Sequence, residues 1–215
     1  MSYATLIIGE SGSGKTASLR NLDHTKTLLI QPVRKPLPFR SAGWKEIKAK
    51  GDGHNILVAS DPATIIKCMK ASPFKIIVID DWQYILARKY MEAPNGGNQF
   101  DLFKQIGQDG YNIVRAASEL ENEKRVYVLS HTQRDEMGNV RIKTLGKLLD
   151  EKICVEGMFT TVLRTKVADG KYLFTTQNSG NDTVKSPIGM FDSNEIENDL
   201  AEVDRRICEY WGIEQ

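Results

Sequence analysis

Cysteine is scarce. The 215 residues hold three, Cys68, Cys154 and Cys208, and none belongs to a CxxC pair. An odd, scattered set excludes a disulfide framework and points to ordinary thiols in a reducing compartment. Histidine is equally sparse, and His24, His54 and His131 show no metal-ligand spacing with each other or with the cysteines, so no zinc site is expected. Net charge is only +1, so a polyanionic partner must be held by a local patch rather than by the field of the whole molecule. No apolar run approaches the ~20 residues of a membrane span. The N-terminus enters a strand pattern without the charged and apolar regions of a secretory signal. The expectation is a cytoplasmic protein without a membrane partner. Length and an ordinary balance of apolar and charged residues suit one α/β domain over residues 1–215.

What the sequence does have is alternation. Short apolar runs at 3–8, 27–30, 55–59, 75–79 and 125–129 read as buried strands. Helical patterns follow at 15–22, 62–70, 82–91 and 100–121. Between 31 and 50, Pro32, Pro36 and Pro38 forbid regular structure. Runs at 158–165 and 171–176, separated by Ala168-Asp169-Gly170, read as a C-terminal antiparallel hairpin at a sheet edge. A last helix is predicted to begin near Asp192, capped with Glu195, and to bury Ile196, Leu200, Val203 and Ile207. This order predicts an α/β fold with a mostly parallel central sheet flanked by helices, and ligands at the carboxyl ends of its strands.

The motif with the most chemistry is Gly9-Glu10-Ser11-Gly12-Ser13-Gly14-Lys15-Thr16, a match to GxxxxGK[ST] between a strand and a helix. Glycines in such a P-loop let backbone N–H groups turn inward around phosphate oxygens, and the following helix aims its positive end there. Lys15 is expected to reach the β and γ phosphates, and the Thr16 hydroxyl to hold Mg²⁺. The predicted ligand is ATP with magnesium. Ile76-Ile-Val-Ile-Asp80 reads as a Walker B strand that brings Asp80 to the same metal. Asp81 has two readings, orienting or deprotonating an attacking water, or capping the helix that begins at Trp82. Ser130-His131 likewise either senses the γ-phosphate or is structural.

Two segments are basic. Residues 31–50 carry Arg34, Lys35, Arg40, Lys45, Lys48 and Lys50 against Glu46, with Phe39 and Trp44 interleaved. Residues 132–149 add Arg134, Arg141, Lys143 and Lys147, diluted by Asp135 and Glu136. Cations that track phosphates and aromatics that stack bases suit single-stranded DNA, and a solvated basic face is the alternative.

The order of these parts resembles the core ATPase domain of the RecA superfamily. The phrases Ile77-Val-Ile-Asp-Asp-Trp-Gln-Tyr84, Leu129-Ser-His-Thr132, Gly157-Met-Phe159 and Thr176-Gln-Asn178, with Asp182-Thr-Val-Lys-Ser-Pro187, are similar to phage-encoded, core-only RecA-like ATPases found with annealing and recombination genes. The resemblance implies an ATPase that binds single-stranded DNA during recombination or replication in a host bacterial cytoplasm. It also implies a homo-oligomer with ATP between subunits, and a recombination or single-strand-binding partner. Within it, Ser130-His131 matches the γ-phosphate sensor and residues 132–149 the DNA-facing loop. The chain departs from the pattern after its second strand, where Gln31-Pro-Val-Arg34 lacks the catalytic glutamate. Arg164, Lys166, Lys171 and Lys185 remain alternatives for a finger acting between subunits. The rival functions are a small-molecule kinase, against which stands the lack of an arginine-rich lid, and a nucleotide-gated DNA-binding scaffold with negligible hydrolysis.

Overall fold

The computed structural model describes residues 1–49, 51–94, 96, 98–121, 123–145 and 152–215. Lys50, Lys147 and Leu149, which belong to the two basic segments, lie outside the described residues. The five apolar runs form β1 (Tyr3–Gly9), β2 (Thr27–Gln31), β3 (Ile56–Val58), β4 (Ile76–Ile79) and β5 (Arg125–Arg134). Their order is β3-β2-β4-β5-β1, and every pair is parallel. Strands β2 and β4 are buried along their whole length, as continuous apolar runs in a parallel sheet must be.

Beyond β1 lies β7 (Thr161–Ala168), still parallel, and then β8 (Lys171–Thr175) and β9 (Glu195–Glu197), both antiparallel. With β6 (Val140–Ile142) on β5, the described residues form a mixed, mostly parallel nine-strand sheet. The β7–β8 hairpin turns on Asp169 and Gly170, both at positive φ (50° and 73°), the backbone that a two-residue loop requires.

Alternate residues of β1 point to opposite faces, and each face has its own core. Leu6 and Ile8 pack with Ile65, Ile85 and Ile113 from α1 (Pro62–Ala71), α2 (Gln83–Met91) and α3 (Gln99–Ser118). Ile7 packs instead with Leu200, Val203 and Ile207 of α4 (Leu200–Trp211). Helices therefore flank the sheet on both sides. Local chemistry sets their starts: the Asp61 carboxylate accepts from Thr64 N at 2.8 Å ahead of Pro62, and Asp199 accepts from Ala201 N at 3.0 Å. Among the described residues, no helix is long and apolar enough to cross a membrane.

Four expectations need correction. The helix expected at 15–22 is a 3₁₀ segment, Thr16–Asn21. There the Ser18 hydroxyl donates to Lys15 O at 2.6 Å, competing with helical bonding, and Asn21 is held across the fold by the Asp199 carboxylate at 2.7 Å. No helix begins near Asp192. Glu195–Glu197 instead alternates exposed, half-buried and exposed as the edge strand β9, and Asp192 pairs with Arg206 at 2.9 Å.

Third, β5 does not stop at Leu129. It runs to Arg134 and folds back on β6, so part of the expected DNA-facing loop is a β-ribbon turning at Asp135 and Gly138. Finally, Phe39 and Trp44 pack edge to face at 6.1 Å against the α4-side core, with Phe39 half-buried and Trp44 buried, so Trp44 offers no face for stacking bases.

One polar network lies inside the sheet's centre. The Arg125 guanidinium grips Asp204 through two bonds of 2.9 and 3.1 Å, and the Tyr127 hydroxyl donates to the same carboxylate at 2.6 Å. All three side chains are buried, which ties α4 to β5. Removing one partner of a buried pair strands the other charge, at about 3–5 kcal/mol. Asp204→Ala is expected to lower the melting temperature by about 10 °C. A thermal melt within 2 °C of wild type would refute it.

Candidate functional site

The carboxyl ends of β1, β4 and β5 converge on one cavity of about 530 Å³. One wall is the loop after β1. Gly14 takes φ +97°, and a Cβ there would lie 2.8 Å from the Tyr172 ring, so both backbone and space demand glycine. At Gly9 a Cβ would meet the Thr165 hydroxyl at 1.7 Å. The Ser13 hydroxyl locks the loop by donating to Glu10 O at 2.6 Å and meeting Thr165 Oγ1 at 2.5 Å. Among the described residues, no backbone carbonyl engages the amides of Gly12, Gly14, Lys15 or Thr16, which leaves donors free for an anion. Because the following segment is a six-residue 3₁₀ turn, the helix dipole adds little, and these amides with Lys15 must do the gripping.

The Lys15 ammonium is buried and donates to Gly9 O and Glu10 O, both at 2.9 Å. Burial pulls its pKa below the ordinary value, against the opposing charges of Asp81 and Asp80. The Thr16 hydroxyl donates to Asp80 Oδ1 at 2.9 Å, joining two motifs 64 residues apart. Asp80 is 1% exposed. Its Oδ2 makes no hydrogen bond and faces the Lys35 ammonium at 3.2 Å. Burial first, then the neighbouring Asp81 charge, push the Asp80 carboxyl upward. A buried carboxylate oxygen lacking a hydrogen bond, next to a hydroxyl, suits a hard divalent cation, so Thr16 and Asp80 fit magnesium.

Asp81 adopts φ +66°, a backbone that few residues other than glycine take. Its carboxylate is engaged by Lys35 and His131, and α2 has no side-chain cap from its N-cap residue Trp82, so the capping alternative for Asp81 does not hold. Instead Asp81 Oδ2 accepts from Lys35, and Oδ1 lies 3.3 Å from His131 Nε2. Burial acts upward on this carboxyl, but the bonds from His131 and Lys35 outweigh it and hold Asp81 well below the usual carboxylate range. Ser130 points away from the cavity. Its hydroxyl and the His131 amide both donate to Gln83 Oε1, at 3.0 and 3.1 Å.

The expected DNA contacts divide. Lys35 is half-buried and paired rather than a free surface cation: it lines the cavity beside Asp80 and Asp81. Its burial works against its charge, and the two carboxylates outweigh that and raise its pKa. Arg34 is paired with Glu46 at 2.5 Å, and Arg40 is exposed. Arg134, Arg141 and Lys143 are exposed on the β5–β6 ribbon, with Arg141 3.2 Å from Asp135. Of the finger alternatives, Arg164 lies 3.7 Å from Asp182 and Lys166 pairs with Glu195 at 2.5 Å. A larger cavity of about 710 Å³ lies along the ribbon, lined by residues of both signs including Arg134, Glu136 and Lys152. It has no glycine-rich cradle.

Sequence reasoning missed Lys35 and Tyr172 as cavity-lining residues, and Gln83 and Thr165 as supports of His131 and the loop. Only Lys35 carried a local signal, its place among three prolines. No protein-family model and no curated protein matches this chain.

Proposed function

We propose that this protein binds ATP with magnesium in the cavity at the ends of β1, β4 and β5, and hydrolyses it. We propose also that it binds single-stranded DNA as a RecA-type P-loop ATPase. The observation that carries the reading is the hydrogen bond from Thr16 to Asp80, which unites a glycine-rich loop with a buried carboxylate. Free loop amides and the Lys15 ammonium hold the phosphates. Thr16 and Asp80 hold the magnesium, which neutralises phosphate charge when bound. Asp81, supported by His131, orients the attacking water.

DNA binding is supported by the exposed cations of the ribbon. That ribbon continues directly from His131, whose carbonyl accepts from Lys143 N at 2.7 Å. A strand anchored in the site and carrying Arg134 at its far end is a short physical route between the two ligands. In a phosphate-release assay, turnover is expected to require magnesium, to fall to background with a chelator, and to rise on adding single-stranded oligonucleotide. Turnover that depends instead on an added nucleoside would support the kinase reading. Purified protein without affinity for Mg·ATP would end the proposal.

A further inference from the structure

Two lysines line the cavity among the described residues, and they come from different segments. Lys15 belongs to the glycine-rich loop and is held by the carbonyls of Gly9 and Glu10. Lys35 comes from the segment after β2, together with Pro36 and Pro38. Proline fixes φ, so the backbone of this wall is stiff, while the rotatable four-carbon stem lets the Lys35 ammonium change partners. The Lys35 ammonium bonds Asp81 and lies 3.2 Å from Asp80 Oδ2. That oxygen belongs to the carboxylate proposed to serve magnesium. A divalent cation and an ammonium repel at such a distance, so the two cannot share the position. Lys35 must move when the metal arrives, and the triphosphate brings new anionic partners into the same cavity.

We infer that Lys35 is a catalytic cation supplied in cis, whose ammonium passes from Asp80 and Asp81 to the terminal phosphate when nucleotide binds. The inference rests on the proposed ATPase reading. The exchange does two things at once. It frees Asp81 to orient water together with His131, and it sets a positive charge where negative charge grows on the transferring group. In the step itself, a water oxygen bonds to the γ-phosphorus, and the bond from that phosphorus to the β,γ-bridging oxygen breaks. The electron pair stays on ADP, and the proton of the water passes to the released phosphate. Lys35 forms no covalent bond. It also explains how a chain without a glutamate after its second strand supplies catalytic help from that same segment.

Lys35 is one-third exposed and outside both cores, so Lys35→Ala should fold, with a lower melting temperature because Asp80 and Asp81 lose their counter-charge, and a thermal melt checks this. Calorimetry with ADP alone and with ADP plus aluminium fluoride, a mimic of the transferring phosphoryl group, separates ground-state from transition-state contacts. Lys35→Ala is expected to bind ADP within about threefold of wild type while losing about a hundredfold in both analogue affinity and turnover. Lys35→Arg, which keeps the charge, is expected to retain about a tenth of wild-type turnover. Adding excess Lys15→Ala protein, which still carries Lys35, to Lys35→Ala protein should restore nothing.

Analogue binding and turnover within threefold of wild type would overturn the inference, as would faster turnover, which would make Lys35 a plug. Restoration by mixing would overturn it too, because the lysine would then act between subunits. Wild-type protein that binds neither ADP nor ATP would remove the nucleotide reading itself, and Lys35 with it. Normal wild-type binding with an unaffected Lys35→Ala strikes Lys35 alone.

Discussion

Lys15→Ala is expected to bind ATP about a thousandfold more weakly than wild type while keeping its fold. The ammonium is buried and already committed to the loop, donating to Gly9 O and Glu10 O at 2.9 Å. Those bonds fix where the charge sits before any ligand arrives, so little ordering cost remains on binding. An ammonium has three donors, so one carbonyl bond gives way on binding and two donors reach phosphate. Each charge-assisted bond contributes about 1.5–3 kcal/mol, and losing two of them amounts to about 4 kcal/mol, or roughly three decades in affinity. The 3₁₀ segment after the loop gives no strong dipole to compensate. Titration with a fluorescent ATP analogue measures the loss, and a thermal melt checks the fold. An affinity within threefold of wild type would mean that the amides grip alone and that Lys15 serves only the apo loop.

How much of this site was legible in the sequence depends on how local each part is. The strands around the site were legible because their apolar runs are contiguous. Gly9 through Thr16 was legible because one loop contains all its parts. Asp80 and Asp81 follow an apolar run, and their meeting with that loop was expected from strand order. The placement of Lys35 in the cavity was not legible, for a physical reason. Composition describes a basic segment as a surface, but the side chain at 35 turns inward because two buried carboxylates 45 and 46 residues away attract it. The same holds for Phe39 and Trp44, which the core claims. The short 3₁₀ turn and the edge strand β9 were misread because helical pattern is a weak prior once tertiary partners intervene. Here those partners are Asp199 for Asn21 and the open edge of β8 for Glu195–Glu197.

Asp81→Asn is expected to leave ATP affinity within about threefold and to lower turnover by about a thousandfold. Asparagine tolerates the left-handed backbone at φ +66° as well as aspartate does, so the substitution changes charge rather than geometry. In the native protein the bonds from His131 and Lys35 hold the Asp81 carboxyl well below its usual range. It is therefore ionised in the resting protein. Once Lys35 has withdrawn, an aspartate with an ordinary value of about 3.9 is still ionised at neutral pH, so it can orient a water by accepting its hydrogen. An amide in its place accepts more weakly and adds a donor where none is needed, and acid–base positioning of this kind contributes about 10²–10⁴ in rate. The depressed carboxyl also has a signature in stability. Its contribution is fully present above the ordinary aspartate value of about 3.9 and is lost as pH falls toward its folded value. The melting-temperature difference between wild type and Asp81→Asn should thus hold steady from pH 7 down to about 4 and narrow only below that. Unchanged turnover would remove Asp81 from the chemistry. A difference that already narrows between pH 7 and 5 would show that the carboxyl is not held ionised by Lys35 and His131.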